Sequence, residues 1–395
     1  MQIYADNAAT TKMAAPVIDV MTECMSKVYG NPSSLHSTGQ QAAEVLAQAR
    51  ENVARILGAE PKEITFTSGG SEADNQAIRS AALWGKKRGK THLISTAFEH
   101  HAVLHTLKKL EDEGFTVTLL PVYEDGIVRT EDVKAALRED TALVSVMFAN
   151  NEIGTLQPIK EIGAICREAG VVFHTDAVQA AGHVEIDVKE MNIDMLSLSA
   201  HKFYGPKGVG ALYVRKGLPL FSLIEGGAQE RSRRAGTENI PGIAGMAKAL
   251  TLAAEKLEER GAYERKLRDA LIEGLSKIPH AALNGDPGKR LPGNVNFCFE
   301  GIEGESLLLL LDAKGIEASS GSACTSGSLD PSHVLLAIGH PHEVAHGSLR
   351  LTLSFENTME EVEYMIKEIA GVVEYLRGIS PMWEDLEKGV RKHVI

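Results

Sequence analysis

Residues 196–214 read LSLSAHKFYGPKGVGALYV. An apolar strand ends at Ser197–Ser199. His201 and Lys202 follow, then Gly205, Gly208 and Gly210, then a second apolar strand. Working outward, similar apolar segments recur as EITFTS (63–68), HLISTA (92–97), TVTLLPV (116–122), ALVSVMFA (142–149) and VVFHTDA (171–177). Helical periodicity fills the gaps at Ser71–Trp84, Ala102–Glu113, Thr130–Leu137 and Ile159–Glu168, with a short stretch at Val188–Met191. Strands alternating with amphipathic helices predict βαβ units and a mainly parallel sheet, hence an α/β fold. The strands are apolar on both parities, so helices are expected on both faces.

The pattern changes after a long, charge-rich helical segment at about Ile240–Leu275. NVNFCF, the helix ESLLLLLDAKG, a Gly/Ser-rich loop at 318–328, the strand SLRLTLS and a final helix Met359–Arg377 follow. This predicts a second, smaller α+β domain whose boundary lies inside the long helix. The larger domain is expected at 15–255, and the smaller one at 1–14 together with 256–395. A chain of 395 residues is long enough for two such cores.

Composition narrows the function. The formal net charge is −12, and the one short basic run is Lys86-Lys87-Arg88, which argues against a nucleic-acid partner. The start, MQIYADNAATTK, lacks a basic-then-apolar leader, and no apolar run approaches the ~20 residues that span a bilayer. A cytoplasmic protein without membrane contact is expected. The four cysteines, Cys24, Cys166, Cys298 and Cys324, form no C-x-x-C pair and read as reduced thiols. Cys24, Cys166 and Cys298 fall in helix or strand patterns and read as packing residues.

Several polar groups follow strands, where an open parallel sheet binds ligands. Lys202 is either a solvent-facing lysine at a strand end or a desolvated amine able to form an imine. Asp176 closes VVFHTD and suits either a helix N-cap or a partner for a protonated ring nitrogen, with Gln179 three residues on. In EITFTSGGSEADNQAI, the Gly69–Gly70–Ser71 turn is either a plain capped βα turn, extended by Ser68 and Glu72, or an anion cradle at a helix start. His100 in FEHHAV and Asn151 in ANNEIG also follow strands. Gly205, Gly208 and Gly210 do not fit the dinucleotide fingerprint, and Gly85–Thr91 is one residue short of a nucleotide-triphosphate loop. No metal-ligand set is expected.

Together, TSGGSEADN, EHHAV, NNEIGT, HTDAVQAAG, SAHKFYGPKGVG, RRAGTEN and SSGSACTSGS resemble the cysteine desulfurases of the NifS/IscS class. The likeness runs from YADNAATT to SPMW, and HGSLRLTLS and GGAQERSRRAGTEN resemble the NifS branch. The resemblance implies a fold-type I pyridoxal-phosphate transferase acting as a homodimer. It implies Lys202 as the Schiff-base lysine, His100 stacked on the pyridine ring, Asp176 on the ring nitrogen and Gln179 on the phenolic oxygen. Gly70, Ser71, Ser199 and His201 would hold the phosphate, with Thr237 reaching in from the other subunit. Asn151 would lie beside cofactor and substrate, and Arg350 would bind the substrate carboxylate.

Cys324 sits in EASSGSACTSGSLDPSH, where seven of the ten residues 319–328 are Gly or Ser, a composition that predicts mobility. The resemblance implies that Lys202 removes the Cα proton of free L-cysteine, with His100 a candidate proton relay. Cys324, as thiolate, would then attack the substrate sulfur, giving L-alanine and a persulfide. An iron–sulfur scaffold protein or another sulfur acceptor is the implied partner. The alternatives are a selenocysteine lyase, another fold-type I enzyme such as an aminotransferase, or a non-catalytic assembly partner. An aminotransferase has no use for Cys324.

Overall fold

Strands that carry apolar residues on both parities must be covered on both faces, and the computed structural model, which describes residues 1–320 and 331–395, does this with helices. In chain order the strands are β1 (Ile3–Tyr4), β2 (Ile64–Thr67), β3 (His92–Thr96), β4 (Thr116–Leu120), β5 (Thr141–Ser145), β6 (Val172–Asp176), β7 (Met195–Ser199), β8 (Gly210–Val214), β9 (Ala281–Leu283), β10 (Asn294–Phe299), β11 (Ile316–Glu317) and β12 (Ser348–Thr352). The central sheet has the order β2-β8-β7-β6-β5-β3-β4.

Strands β4, β3, β5, β6 and β7 run parallel. β8 is antiparallel to both neighbours, β7 and β2. The reason lies in the stretch 196–214. Its β7–β8 connection is too short for a helical crossover, so the chain must turn back on itself. Lys202 rides on that connection, in the helical turn Ala200–Lys202 at the carboxyl end of β7.

One face of the sheet packs Phe66, Ile94, Val144, Phe173 and Leu196, all buried, against the flanking helices. The other packs Leu93, Leu143 and Met195 against the helices Gly70–Lys86 and His101–Asp112. Each such side chain contributes about 1.5–3 kcal/mol when buried. Edge strand β4 departs from the expected two-sided burial: Thr116 and Leu119 are exposed.

A separate core joins Ile3 and Ala5 to Leu271, Phe297, Leu311, Leu349 and Ile369. It is built on the sheet β12-β10-β9 and the pair β1-β11. The long helical segment is two helices, Ile240–Glu255 and Leu257–Leu275, broken at Lys256 (φ −121°). The first packs on the helices Ala15–Lys27 and Ser37–Ile56, the second on the smaller core, and the break lets each align with its own neighbours. No Gly or Pro marks it.

Val188–Met191 is not helical. Asp187 accepts the N–H groups of Lys189 and Glu190 at 2.9 Å each, and this local turn outcompetes a helix. No helix among the described residues is long and apolar enough to cross a membrane.

The segment that carries Thr237 is pinned by a buried ion pair. Arg50 donates Nη1 and Nη2 to Glu230 at 2.7 and 2.6 Å, and the Phe66 N–H donates to the same carboxylate at 3.0 Å. Glu230, Arg231 and Ser232 all lie at positive φ (47°, 60° and 63°), a strained run that the ion pair holds in place. Glu230→Ala leaves the Arg50 charge buried without its partner. It is expected to destabilise the chain by about 3–5 kcal/mol, read as a lowered urea midpoint.

Candidate active site

The carboxyl ends of β5, β6 and β7, the start of helix Gly70–Lys86 and the N-terminal segment enclose a cavity of about 340 Å³. Ten expected residues line it: Gly70, Ser71, His100, Asn151, Asp176, Gln179, Ser199, His201, Lys202 and Arg350. Thr237 is exposed and stands outside this wall. Cys324 lies outside the described residues. A larger groove, about 870 Å³, between helices Leu257–Leu275 and Met359–Gly378 contains none of the expected residues.

Lys202 is drawn inward, not toward water. Its Nζ donates to the carbonyls of Ala8 (2.6 Å) and Ala9 (2.8 Å). Gln179 Nε2 also donates to Ala8 O, at 2.9 Å. Residues 8 and 9 lie in no regular element, and sequence reading did not single them out.

Asp176 is buried and accepts the Val178 N–H at 2.9 Å. No helix follows it, so the N-cap alternative fails; the carboxylate shapes a turn. Burial pushes its pKa up to about 6, against the pull of the Val178 N–H and the Lys202 ammonium.

His100 caps the helix His101–Asp112 by accepting the Ala102 N–H on Nδ1, at 3.1 Å. Burial, followed by the nearby Lys202 charge, lowers its pKa to about 4. The ring is therefore neutral and carries its proton on Nε2. His201 is likewise lowered to about 4, first by burial and then by Lys202.

Gly70 begins a 17-residue helix, and Glu72 accepts the Ser68 N–H at 2.8 Å, the expected extension of the cap. A Cβ on Gly70 would meet Val178 Cγ2 at 2.5 Å. Only glycine lets this helix start so close to the β6 turn. A second opening shares Gly70, Ser71, Ser199 and His201 and adds Lys207, a cation that sequence reading passed over.

Arg350, buried on β12, donates Nη2 to Asp6 at 2.9 Å and Nη1 to the Asn151 carbonyl at 3.1 Å. Its Nε is buried without a partner. A guanidinium has five donors, so a fork remains for a second carboxylate. Cys24, Cys166 and Cys298 are buried, and burial pushes the last two up to about 12, away from thiolate chemistry.

An inward amine, a buried carboxylate, a neutral imidazole and an anion-ready helix start are the donor set that a phosphorylated pyridine aldehyde requires. Fold and cavity thus define a fold-type I pyridoxal-phosphate enzyme. The chain belongs to the class-V aminotransferase family, whose model matches residues 3–365. It is 56% identical over 390 residues to "Cysteine desulfurase IscS" of Clostridium botulinum, covering 98% of each chain. It is equally 56% identical over 380 residues to the protein of that name from Methanosarcina thermophila, covering 96% of this chain and 94% of that one. Among solved structures, a "NIFS-LIKE PROTEIN" superposes with a TM-score of 0.89 at 40% identity, over 95% of this chain and all of that one.

Glu99, just under the cavity, gives a pH prediction. Burial pushes its pKa from 4.5 up to about 8, although the Met147 N–H and the Thr96 hydroxyl pull it down. The folded chain then holds a proton that the unfolded chain has released, so this contribution to stability is full below 4.5 and lost as pH rises to about 8. The unfolding midpoint of the cofactor-free protein is expected to fall across that window. Glu99→Gln should flatten the slope, measured by urea titration at several pH values.

Proposed function

We propose that this chain is a cysteine desulfurase that takes sulfur from free L-cysteine, releases L-alanine and holds the sulfur as a persulfide on Cys324. The observation that carries the reading is one cavity lined by Lys202, Asp176, His100 and Arg350, in a chain with desulfurase-named relatives over almost its whole length. In this reading Lys202 would hold pyridoxal phosphate covalently, Asp176 would pair with its ring nitrogen, His100 would pack on the ring and Gln179 would contact the phenolic oxygen. Gly70, Ser71, Ser199 and His201 would take the phosphate, joined by Thr237 from a second copy of the chain. The larger domain spans 15–255 and the smaller 1–14 with 256–395, a division supported by the break at Lys256 and the separate small core.

Bound there, the cofactor supplies an electron sink that acidifies the substrate Cα proton. Arg350 fixes the substrate carboxylate through its unused fork, with Asn151 alongside. The Lys202 amine removes the Cα proton. The Nε2–H of His100 is a donor by tautomer, so it first gives a proton or a hydrogen bond and does not first take one. Cys324, as thiolate, attacks the substrate sulfur. A new S–S bond forms, the C–S bond breaks, and its electron pair stays with carbon, which leaves as alanine after protonation. The cytoplasm, where free thiols persist, suits this chemistry, and an iron–sulfur scaffold or another thiol acceptor would accept the sulfur.

Two measurements test the reading. Lys202→Ala should abolish alanine release and the bound-cofactor absorbance together. Cys324→Ser should keep the cofactor absorbance but show no added sulfur by mass spectrometry after incubation with cysteine; an undiminished desulfurase rate in that variant would overturn the assignment. Arg350→Lys keeps the charge but loses the fork. It should raise KM for cysteine by about ten- to a hundredfold with a smaller change in kcat, as expected for one charge-assisted bond.

A further inference from the structure

Three carboxyl groups are buried in or near the cavity wall, within reach of one another's field. Asp74 comes from the helix Gly70–Lys86, Glu99 from the turn after β3, and Asp176 from the end of β6. Their compensation is unequal. Asp176 has the Val178 N–H and the Lys202 ammonium. Glu99 has the Met147 N–H at 2.8 Å and the Thr96 hydroxyl at 2.7 Å. Asp74 lines the cavity, is 1% exposed, and its Oδ1 has no hydrogen-bond partner. Its neighbours are the Ser197 hydroxyl on β7 and His174 on β6, whose Nε2 lies 3.6 Å from Oδ1, beyond a hydrogen bond.

His174 is itself enclosed. Nδ1 meets Ser145 Oγ on β5 at 2.8 Å, and Nε2 meets Ser197 Oγ at 3.0 Å. Burial lowers its pKa to about 3, so it supplies no positive charge to Asp74. A chain Ser145–His174–Ser197–Asp74 therefore crosses three adjacent strands and ends at a carboxyl in the cavity wall. Carboxylates sharing one dry layer cannot all ionise; Glu99 keeps its own proton up to about pH 8, and between Asp74 and Asp176 the next proton goes to the one with neither a backbone N–H nor a cation beside it. By count of donors, that group is Asp74.

We propose that Asp74 is a positioning residue that stays a neutral carboxylic acid, so that Asp176 is the carboxylate presented to the cofactor ring. The proposal rests on the reading of Asp176 as the ring-nitrogen partner. A second negative charge in the floor would bind the Lys202 proton more tightly. Lys202 has to lose that proton to bond the cofactor and to act as a base. A neutral Asp74 keeps the floor polar without adding that charge.

Infrared difference spectroscopy of native protein minus Asp74→Asn tests the proposal, with or without cofactor. The difference should contain the carbonyl stretch of a protonated carboxylic acid; a difference containing carboxylate bands alone overturns it. In the holoenzyme, Asp74→Asn is neutral and isosteric. It should leave the pH midpoint of the cofactor absorbance within about 0.3 unit, whereas removing a real charge would lower it by about a unit or more. A shift of that size overturns the proposal. If the Asn variant does not fold, Ser197→Ala serves instead. Loss of the hydroxyl should move the acid carbonyl stretch to higher frequency, and an unmoved band counts against Asp74. Should Asp176→Asn bind cofactor with unchanged affinity and absorbance, the reading of Asp176 fails, while the infrared result for Asp74 stands separately.

Discussion

As the proposed cofactor lysine, Lys202 would have to be held in place and yet stay available for bonding, and the surrounding architecture suits both needs. The short return from β7 to β8 puts the lysine at the carboxyl edge of the sheet. Two carbonyls of the N-terminal segment then take hold of its nitrogen.

That N-terminal segment also belongs to the smaller core. Ile3 pairs with Ile316, and the Thr352 N–H donates to the Ala5 carbonyl. A few residues further on, the Thr11 N–H bonds the His201 carbonyl, and the Ala14 N–H bonds the Tyr204 carbonyl. Arg350 reaches back across the same seam to Asp6. The segment therefore ties the Lys202 amine, proposed to bond the cofactor, to the Arg350 guanidinium, proposed to bind the substrate.

Much of this was legible in residue order. Strand–helix alternation foretold the sheet, and groups placed just after strands foretold Gly70, Ser71, His100, Asn151, Asp176, Gln179 and Lys202 in the cavity wall, while Ser199, His201 and Arg350 came from the family likeness. The limits were physical. Ala8, Ala9 and Lys207 act through backbone or loop position, which no periodicity marks. Asp74 sits in a helix whose polar spacing looks ordinary; only its burial sets it apart. The break at Lys256 has no Gly or Pro, because tertiary packing, not local propensity, bends the chain there. At Val188–Met191 the Asp187 side chain overrode a helical pattern. The family likeness supplied roles for Gln179, Thr237 and Arg350 that spacing alone did not.

The pairing of β1 with β11 has a consequence for biosynthesis. Ile3 is made well before its strand partner, Ile316, which emerges more than three hundred residues later. Asp6 waits longer still for Arg350. The larger sheet, complete by Val214, is free to assemble while the ribosome is still at work. The cavity is not, because its floor and its far wall are joined only when the last strand, β12, arrives. Completion of the Arg350 side of the cavity thus waits for β12, and a ribosome-bound fragment ending before that strand lacks Arg350 and the seam that places it.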